Sequence, residues 1–100
     1  MAGGQFTSAN QRFLLNLFGG ACACCGVKNV LIVIDHVRSI TPIDGGSPGS
    51  HNIENRQPLC VRCNEVKKDR TIDYRTAEQR EAIKEHARKW PRAEQLALAL

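Results

Sequence analysis

The sequence contains no long apolar stretch. Nothing in it approaches the roughly 18 consecutive apolar residues that mark a membrane-spanning helix. Residues 1–18 also lack the basic start and the apolar run of a secretory signal peptide. We therefore expect a cytoplasmic protein that makes no contact with a membrane.

The chain also has too few residues and too few aromatic side chains to form a large hydrophobic core. It has 100 residues, of which 5% are aromatic, and a chain of this size buries only about 60–65% of the surface that it exposes when unfolded. Small domains usually gain the missing stability from disulfides or from a structural metal ion. We expect a single domain, residues 1–100, that depends on such a cross-link.

Cysteine supplies a candidate cross-link. Four of the five cysteines form two Cys-x-x-Cys steps, at Cys22 and Cys25 and at Cys60 and Cys63. Thiols stay reduced in the cytoplasm, where two such steps favour a four-thiolate zinc site. Gly26 would allow the sharp turn after the first step, and Cys24 is left as a bystander. Redox chemistry and ordinary buried cysteines are the alternatives.

The periodicity predicts helices at both ends of the chain. Residues 8–18 open with Ser8 and Gln11 at a capping-box spacing and place four apolar side chains on one face. Residues 77–90 follow a second such spacing, Thr76 and Gln79, and carry Glu85 four residues before Lys89. A short helical tail is expected over residues 92–100.

The middle of the chain predicts two strands and a short helix. Residues 30–34 form a mostly β-branched apolar run that suits a strand buried on both faces. Residues 41–52 are rich in glycine, proline and serine and predict an exposed loop. A return strand over residues 56–59 and a helix over residues 61–68 should follow.

These segments together resemble the HNH nuclease family over residues 18–74. The resemblance is carried by Cys22-x-x-Cys25-Gly26, Asp35-His36, Asn55-Arg56-Gln57-Pro58-Leu59-Cys60 and Cys63-Asn64-x-x-Lys67, in that order. It implies an α+β fold of the ββα-metal, treble-clef-like type, with a structural zinc site and flanking helices over residues 8–18 and 76–90. It also implies metal-dependent cleavage of phosphodiester bonds.

Three residues of this pattern suit the chemistry. His36 is a natural general base, since its unperturbed pKa lies near neutral pH. Asp35 and Asn64 offer the hard oxygen ligands that Mg²⁺ or Mn²⁺ takes. Asn64 stands where the family often has histidine, which makes this an H-N-N variant, and the resemblance makes Asn55 a brace for the loop. The alternatives are a structural histidine, a turn carboxylate, a helix-cap amide and a turn asparagine.

The charge balance agrees with a polyanionic partner. The formal net charge is +4 and the sequence pI is about 9.0. The resemblance places Lys67 one turn after Asn64 as a phosphate contact, which Lys68 and Arg70 would assist. A solvated basic face is the alternative.

We therefore expect an endonuclease acting on nucleic acid, with double-stranded DNA as the substrate. The competing hypothesis is a non-catalytic zinc module of the same fold that binds DNA or a protein partner. Asp35, His36 and Asn64 discriminate between the two, since a binding relic has no need of a base and two metal ligands. The sequence leaves open a homodimer, or a partner protein from a phage or a restriction system.

Overall fold

The computed structural model describes residues 6–89. Its elements in chain order are helix α1 (Ser8–Leu17), strand β1 (Ile32–His36), a 3-10 helix (Ile53–Asn55), strand β2 (Arg56–Cys60), helix α2 (Val61–Lys67) and helix α3 (Ala77–Lys89). The two strands pair antiparallel. The predicted α+β class is confirmed, with two strands, a long connecting loop and a following helix as in a ββα-metal fold. No helix within residues 6–89 is long and apolar enough to cross a membrane.

Helix α1 is capped one residue earlier than predicted. The side-chain hydroxyl of Thr7 accepts a hydrogen bond from the backbone N–H of Asn10 at 3.1 Å, so the predicted capping box of Ser8 and Gln11 is wrong. Thr7 offers the same hydroxyl chemistry as Ser8 one position upstream. The predicted apolar face is confirmed, since Leu14 and Phe18 are buried in the core.

Strand β1 lies two residues further along the chain than predicted and is less buried. Val30 and Leu31 precede it and are 47% and 72% exposed. Every residue of β1 is partly exposed, so the predicted burial on both faces is wrong. The physical reason is that the sheet has two strands within residues 6–89, which leaves too little structure there to cover both of its faces.

Strand β2 matches the prediction with Cys60 added at its end. The register sets Asp35 opposite Gln57 and His36 opposite Arg56. The loop between the strands is exposed over most of residues 41–52, as predicted. It ends in the 3-10 helix, which the sequence analysis did not predict.

Helix α3 begins with the predicted capping box. The N–H of Gln79 donates to the hydroxyl of Thr76 at 3.1 Å, and the N–H of Thr76 donates to the side-chain carbonyl of Gln79 at 2.8 Å. Glu85 pairs with Arg88 one turn on, instead of with the predicted Lys89. The predicted helix end at residue 90 and the tail over residues 92–100 lie outside the described residues.

A small core joins the two flanking helices to the loop. It consists of Leu14, Phe18, Ile53 and Ile83. Ile53 comes from the 3-10 helix that immediately precedes β2. Burial of this one side chain therefore fixes the end of the loop beside the sheet, which positions the residues around His36.

Candidate active site and zinc centre

The four predicted zinc ligands come together. The sulfur atoms of Cys22, Cys25, Cys60 and Cys63 all lie within 4.8 Å of one another. The sulfurs of Cys25 and Cys60 are 3.9 Å apart. A tetrahedral zinc with bonds of about 2.3 Å requires sulfurs about 3.8 Å apart. The donor set therefore fits a structural zinc ion that fills all four positions with thiolates.

Backbone N–H groups favour the thiolate form of the cysteines that would bind the metal. The N–H of Cys25 points at the sulfur of Cys22, and the N–H of Cys63 at the sulfur of Cys60, both at 3.5 Å. Burial acts to raise the pKa of Cys22, but backbone N–H donors outweigh it and lower the pKa to about 6. The neighbouring Cys60 thiol raises the pKa of Cys63. A cation is needed to keep all four as thiolates. Cys24 is exposed and lies outside the group.

A cleft of about 360 Å³ opens at the carboxyl end of β1. It is lined by Asp35, His36, Ser39, Ile40, Thr41, Asn64, Lys68 and Asp69. Strand β1 supplies Asp35 and His36, and Asn64 comes from α2. The fold thus brings together the three side chains that the sequence analysis assigned to base and metal binding.

Asp35 is held rigidly by two buried neighbours. Its Oδ2 accepts a hydrogen bond from the side-chain amide of Gln57 at 3.0 Å and pairs with the ammonium of Lys67 at 3.1 Å. Gln57 is fixed in turn, because it also donates to the carbonyl of Ile72 and accepts from the N–H of Tyr74, both at 2.9 Å. The side chain of Asp35 is only 8% exposed, so it is not a solvated turn acid.

The placement of Lys67 corrects its predicted role. Its side chain is completely buried, and its ammonium also donates to the backbone carbonyl of His36 at 2.9 Å. A phosphate in solvent cannot reach this group. The physical reason is that the buried carboxylate of Asp35 requires a counter-charge, which turns the lysine inward.

The other two predicted phosphate contacts differ from each other. Arg70 is exposed, but its guanidinium donates to the carbonyls of Lys67 at 3.1 Å and Val66 at 2.6 Å, which caps the end of α2. Lys68 lines the cleft and has a left-handed φ of 52°. Of the three predicted cations, Lys68 is therefore the one that faces the cleft.

His36 ends β1 and is partly exposed. Its Nε2 lies 2.5 Å from Nη1 of Arg56 and 3.1 Å from Nδ1 of His51. Burial lowers the pKa of His36 below its ordinary value, and the charges of Arg56, His51 and Lys67 act in the same direction against the opposing effect of Asp35. The imidazole is therefore neutral at neutral pH, as a general base must be.

Asn55 ties the loop to the residues that follow β1. Its amide donates to the carbonyls of Arg38 at 2.9 Å and Ser50 at 2.8 Å, and its side-chain oxygen accepts from the N–H of Arg38 at 2.9 Å. Its backbone carbonyl accepts from the N–H of Val37 at 2.8 Å. These contacts hold the chain immediately after His36 and support the predicted bracing role.

Asn64 lies within α2 and is partly exposed in the cleft. It does not cap this helix, because Cys60 occupies the N-cap position and Lys68 the C-cap. Oδ1 of Asp35 lies 3.5 Å from the Lys67 ammonium. The amide oxygen of Asn64 and Oδ1 of Asp35 are hard donors at one cleft. They fit a divalent cation that keeps several of its waters.

Sequence reasoning missed Gln57, His51 and Arg56 as part of this site. Gln57 could have been found by pairing the two predicted strands, because it stands opposite Asp35. His51 carries no comparable signal, since its position depends on how the loop between the strands folds back. Arg56 lies inside the quoted motif, but its contact with His36 follows only from the register of the sheet.

Comparison with known families agrees with this geometry. A family model described as HNH endonuclease matches residues 22–70. No curated protein and no solved structure gives a significant match. The matched segment contains both Cys-x-x-Cys steps, both strands and the three cleft residues that suit hydrolysis. Residues 22–70 therefore form a domain that belongs to the HNH endonuclease family.

Proposed function

We propose that this protein is a metal-dependent endonuclease that hydrolyses phosphodiester bonds in double-stranded DNA. The observation that carries the proposal is the meeting of Asp35, His36 and Asn64 at one cleft. A base and two oxygen donors at one place are the groups that phosphodiester hydrolysis requires. Family membership supports the reaction class.

In this proposal His36 takes the proton from the attacking water. Its lowered pKa keeps it unprotonated at neutral pH, and the Asn55 contacts hold the chain that follows it. Mg²⁺ or Mn²⁺, held by Asp35 and Asn64, would neutralise negative charge on the phosphoryl and leaving oxygens. Lys67 and Gln57 fix the direction of the Asp35 carboxylate.

Lys68 is the proposed phosphate contact within the cleft. Lys68 follows Asn64 by about one helical turn along the chain, and its left-handed backbone ends α2. A residue in a sparsely populated backbone conformation often marks a functional site. The formal net charge of +4 also favours a polyanionic substrate.

The experiment is a nicking assay on supercoiled plasmid with the zinc-loaded protein. We expect nicked circles with Mg²⁺ or Mn²⁺ and none without an added divalent cation. Asp35→Ala and Asn64→Ala should raise the cation concentration that gives half-maximal nicking by about tenfold or more. Glu65→Ala removes an exposed polar side chain beside Asn64 and should leave that concentration unchanged.

Two results would contradict the proposal. One is a folded, zinc-loaded protein that binds DNA without cutting it at any cation concentration, which is the behaviour of a non-catalytic zinc module. The other is nicking that proceeds equally well without a divalent cation. Retained zinc, measured by atomic absorption, is the control that excludes simple unfolding.

A further inference from the structure

Arg56 contacts His36, the proposed general base of the cleft. We propose, building on the proposed endonuclease function, that Arg56 is a phosphate-responsive latch. In the free protein its guanidinium holds Nε2 of His36. A nucleic-acid phosphate draws the guanidinium away and so releases that nitrogen. Arg56 is then a positioning residue that acts through His36 and a binding residue for the DNA backbone.

The contact defines which ring nitrogen of His36 carries the proton. A guanidinium has only donors, so Nε2 of His36 must be the acceptor in its contact with Nη1 of Arg56. The neutral ring therefore carries its proton on Nδ1. The approach of His51 Nδ1 to the same Nε2 at 3.1 Å is favourable only if that Nδ1 also bears a proton. Two donors thus converge on one lone pair.

That lone pair is the one that a general base needs. Nε2 of His36 points at Arg56 and His51, and neither of these residues lines the cleft that contains Asp35 and Asn64. While the contact persists, Nε2 cannot take a proton from a water in the cleft. The ring must be freed before His36 can act, so the free protein holds its base in a resting state.

Arg56 is held weakly as a cation, because burial lowers its pKa and the attraction of Asp35 offsets this only in part. None of the ion pairs among residues 6–89 includes it. Its Nε is buried without a hydrogen-bond partner, and its guanidinium lies 4.3 Å from the centre of the Phe6 ring. Arg75 makes an instructive contrast, because it is locked to Asp73 at 2.8 Å.

An anion would therefore compete successfully for Arg56. The guanidinium fork matches two oxygens of a phosphate, and a hydrogen bond between two charged groups is about twice as strong as one between neutral groups. Among residues 6–89, the hydrogen-bond partner of this fork is a neutral imidazole, which His51 also contacts, and the Phe6 ring lies against the guanidinium. The ligand class is therefore a phosphodiester of the nucleic-acid backbone beside the cleft.

The test follows the imidazole and the DNA affinity without any cleavage. Zinc-loaded protein labelled with ¹⁵N-histidine is mixed with a short DNA duplex at one fixed pH, in buffer free of Mg²⁺ and Mn²⁺. We expect the Nε2 signal of wild-type His36 to move when DNA binds. In Arg56→Leu this signal should already be displaced without DNA, and the Kd for DNA should rise about tenfold through loss of a charged hydrogen bond.

Arg12→Leu is the matched control, since it removes one exposed positive charge from α1. It should leave the His36 signal in place and change the Kd by less than Arg56→Leu does. If Arg56→Leu does not fold, Arg56→Lys keeps the charge but loses the fork. It should then move the His36 signal in the free protein.

Two results would each overturn the latch. One is a wild-type His36 signal that stays in place while DNA binds, and the other is a folded Arg56→Leu protein that binds DNA as tightly as Arg12→Leu. Neither readout depends on cutting. A protein that never nicks plasmid would contradict the proposed endonuclease, whereas an unmoved His36 signal in a protein that does nick would contradict only the latch.

Discussion

At the scale of single residues, the ion pair of Lys67 and Asp35 decides how the cleft is built. The Lys67 side chain is 0% exposed and the Asp35 side chain is 8% exposed. Such a pair adds little net stability, but removing one partner leaves an uncompensated buried charge. The pair therefore fixes the carboxylate that we assign to metal binding.

Lys67→Met tests this arrangement. We expect a loss of about 3–5 kcal/mol in the free energy of unfolding, because Asp35 would keep its charge without a partner. Lys68→Met is the matched control, since Lys68 is exposed and should change the free energy by less than about 0.5 kcal/mol. Urea unfolding of both variants provides the measurement. Equal stability would show that the buried pair does not form.

The pKa of His36 predicts the pH dependence of nicking. The base must be neutral, so activity falls as the pH drops through its pKa. Burial, together with Arg56, His51 and Lys67, lowers this pKa below 6.5. The acidic limb of kcat/KM, which reports the free enzyme, should therefore lie below pH 6.5. A limb above that value would contradict the described environment.

The sequence predicted which residues meet at the cleft better than it predicted the contacts around them. Asp35, His36 and Asn64 stand in a recognisable order, and the cleft that they share follows from placing them at a strand end and in the next helix. The inward turn of Lys67 was not predictable in the same way. It depends on the burial of Asp35, which the local sequence does not reveal.

At the scale of elements, the loop between β1 and β2 is held much more tightly than its composition suggests. Arg38 donates to the carbonyl of Ser47 at 2.7 Å and pairs with Asp44 at 3.1 Å. Gly49 donates its N–H to the carbonyl of Ser39 at 2.9 Å. The loop is thus folded back on the residues that follow His36.

Gly49→Ala tests whether this packing matters. An added Cβ would lie 1.9 Å from the backbone oxygen of Arg38 and 2.7 Å from the Asn55 amide, so the backbone must move. We expect a loss of about 1–3 kcal/mol of stability. Ser47→Ala is the control, because Ser47 is exposed and contacts Arg38 through its backbone carbonyl, which the substitution keeps. Denaturant melts that show equal costs would argue against a rigid loop.

The helices and strands were predictable where local chemistry decides them. The capping box of α3 is set by two residues three apart, and it forms as predicted. The predicted start of β1 was wrong because the apolar residues 30–31 match a strand pattern, although they precede the residues that pair with β2. Pairing is a long-range property, so a local pattern cannot place it to the residue.

At the scale of the whole molecule, we expect stability to depend on a zinc ion held by the four cysteines. The core of the described residues is divided into two small clusters. One joins the helices, and the other surrounds the cage with Cys22, Leu59 and Cys60. A structural zinc can contribute on the order of 10 kcal/mol to folding. That is comparable with the stability of an entire domain.

Cys60→Ser should therefore abolish zinc binding and cooperative unfolding together. Cys24→Ser is the matched control, because Cys24 is exposed and lies outside the cage, and it should retain one zinc per chain and a normal melt. Zinc content by atomic absorption and the melt by circular dichroism are measured on both proteins. A folded, metal-free Cys60→Ser protein would contradict the structural role of zinc.

The central claim is that this protein hydrolyses DNA with His36 as the general base, in a fold that a zinc ion stabilises. The most direct measurement is plasmid nicking by His36→Ala, with zinc content and melting temperature determined on the same preparation. The account predicts a fall in nicking rate of about 10²–10⁴-fold, with zinc content and melting temperature unchanged. A variant that nicks at the wild-type rate would contradict it.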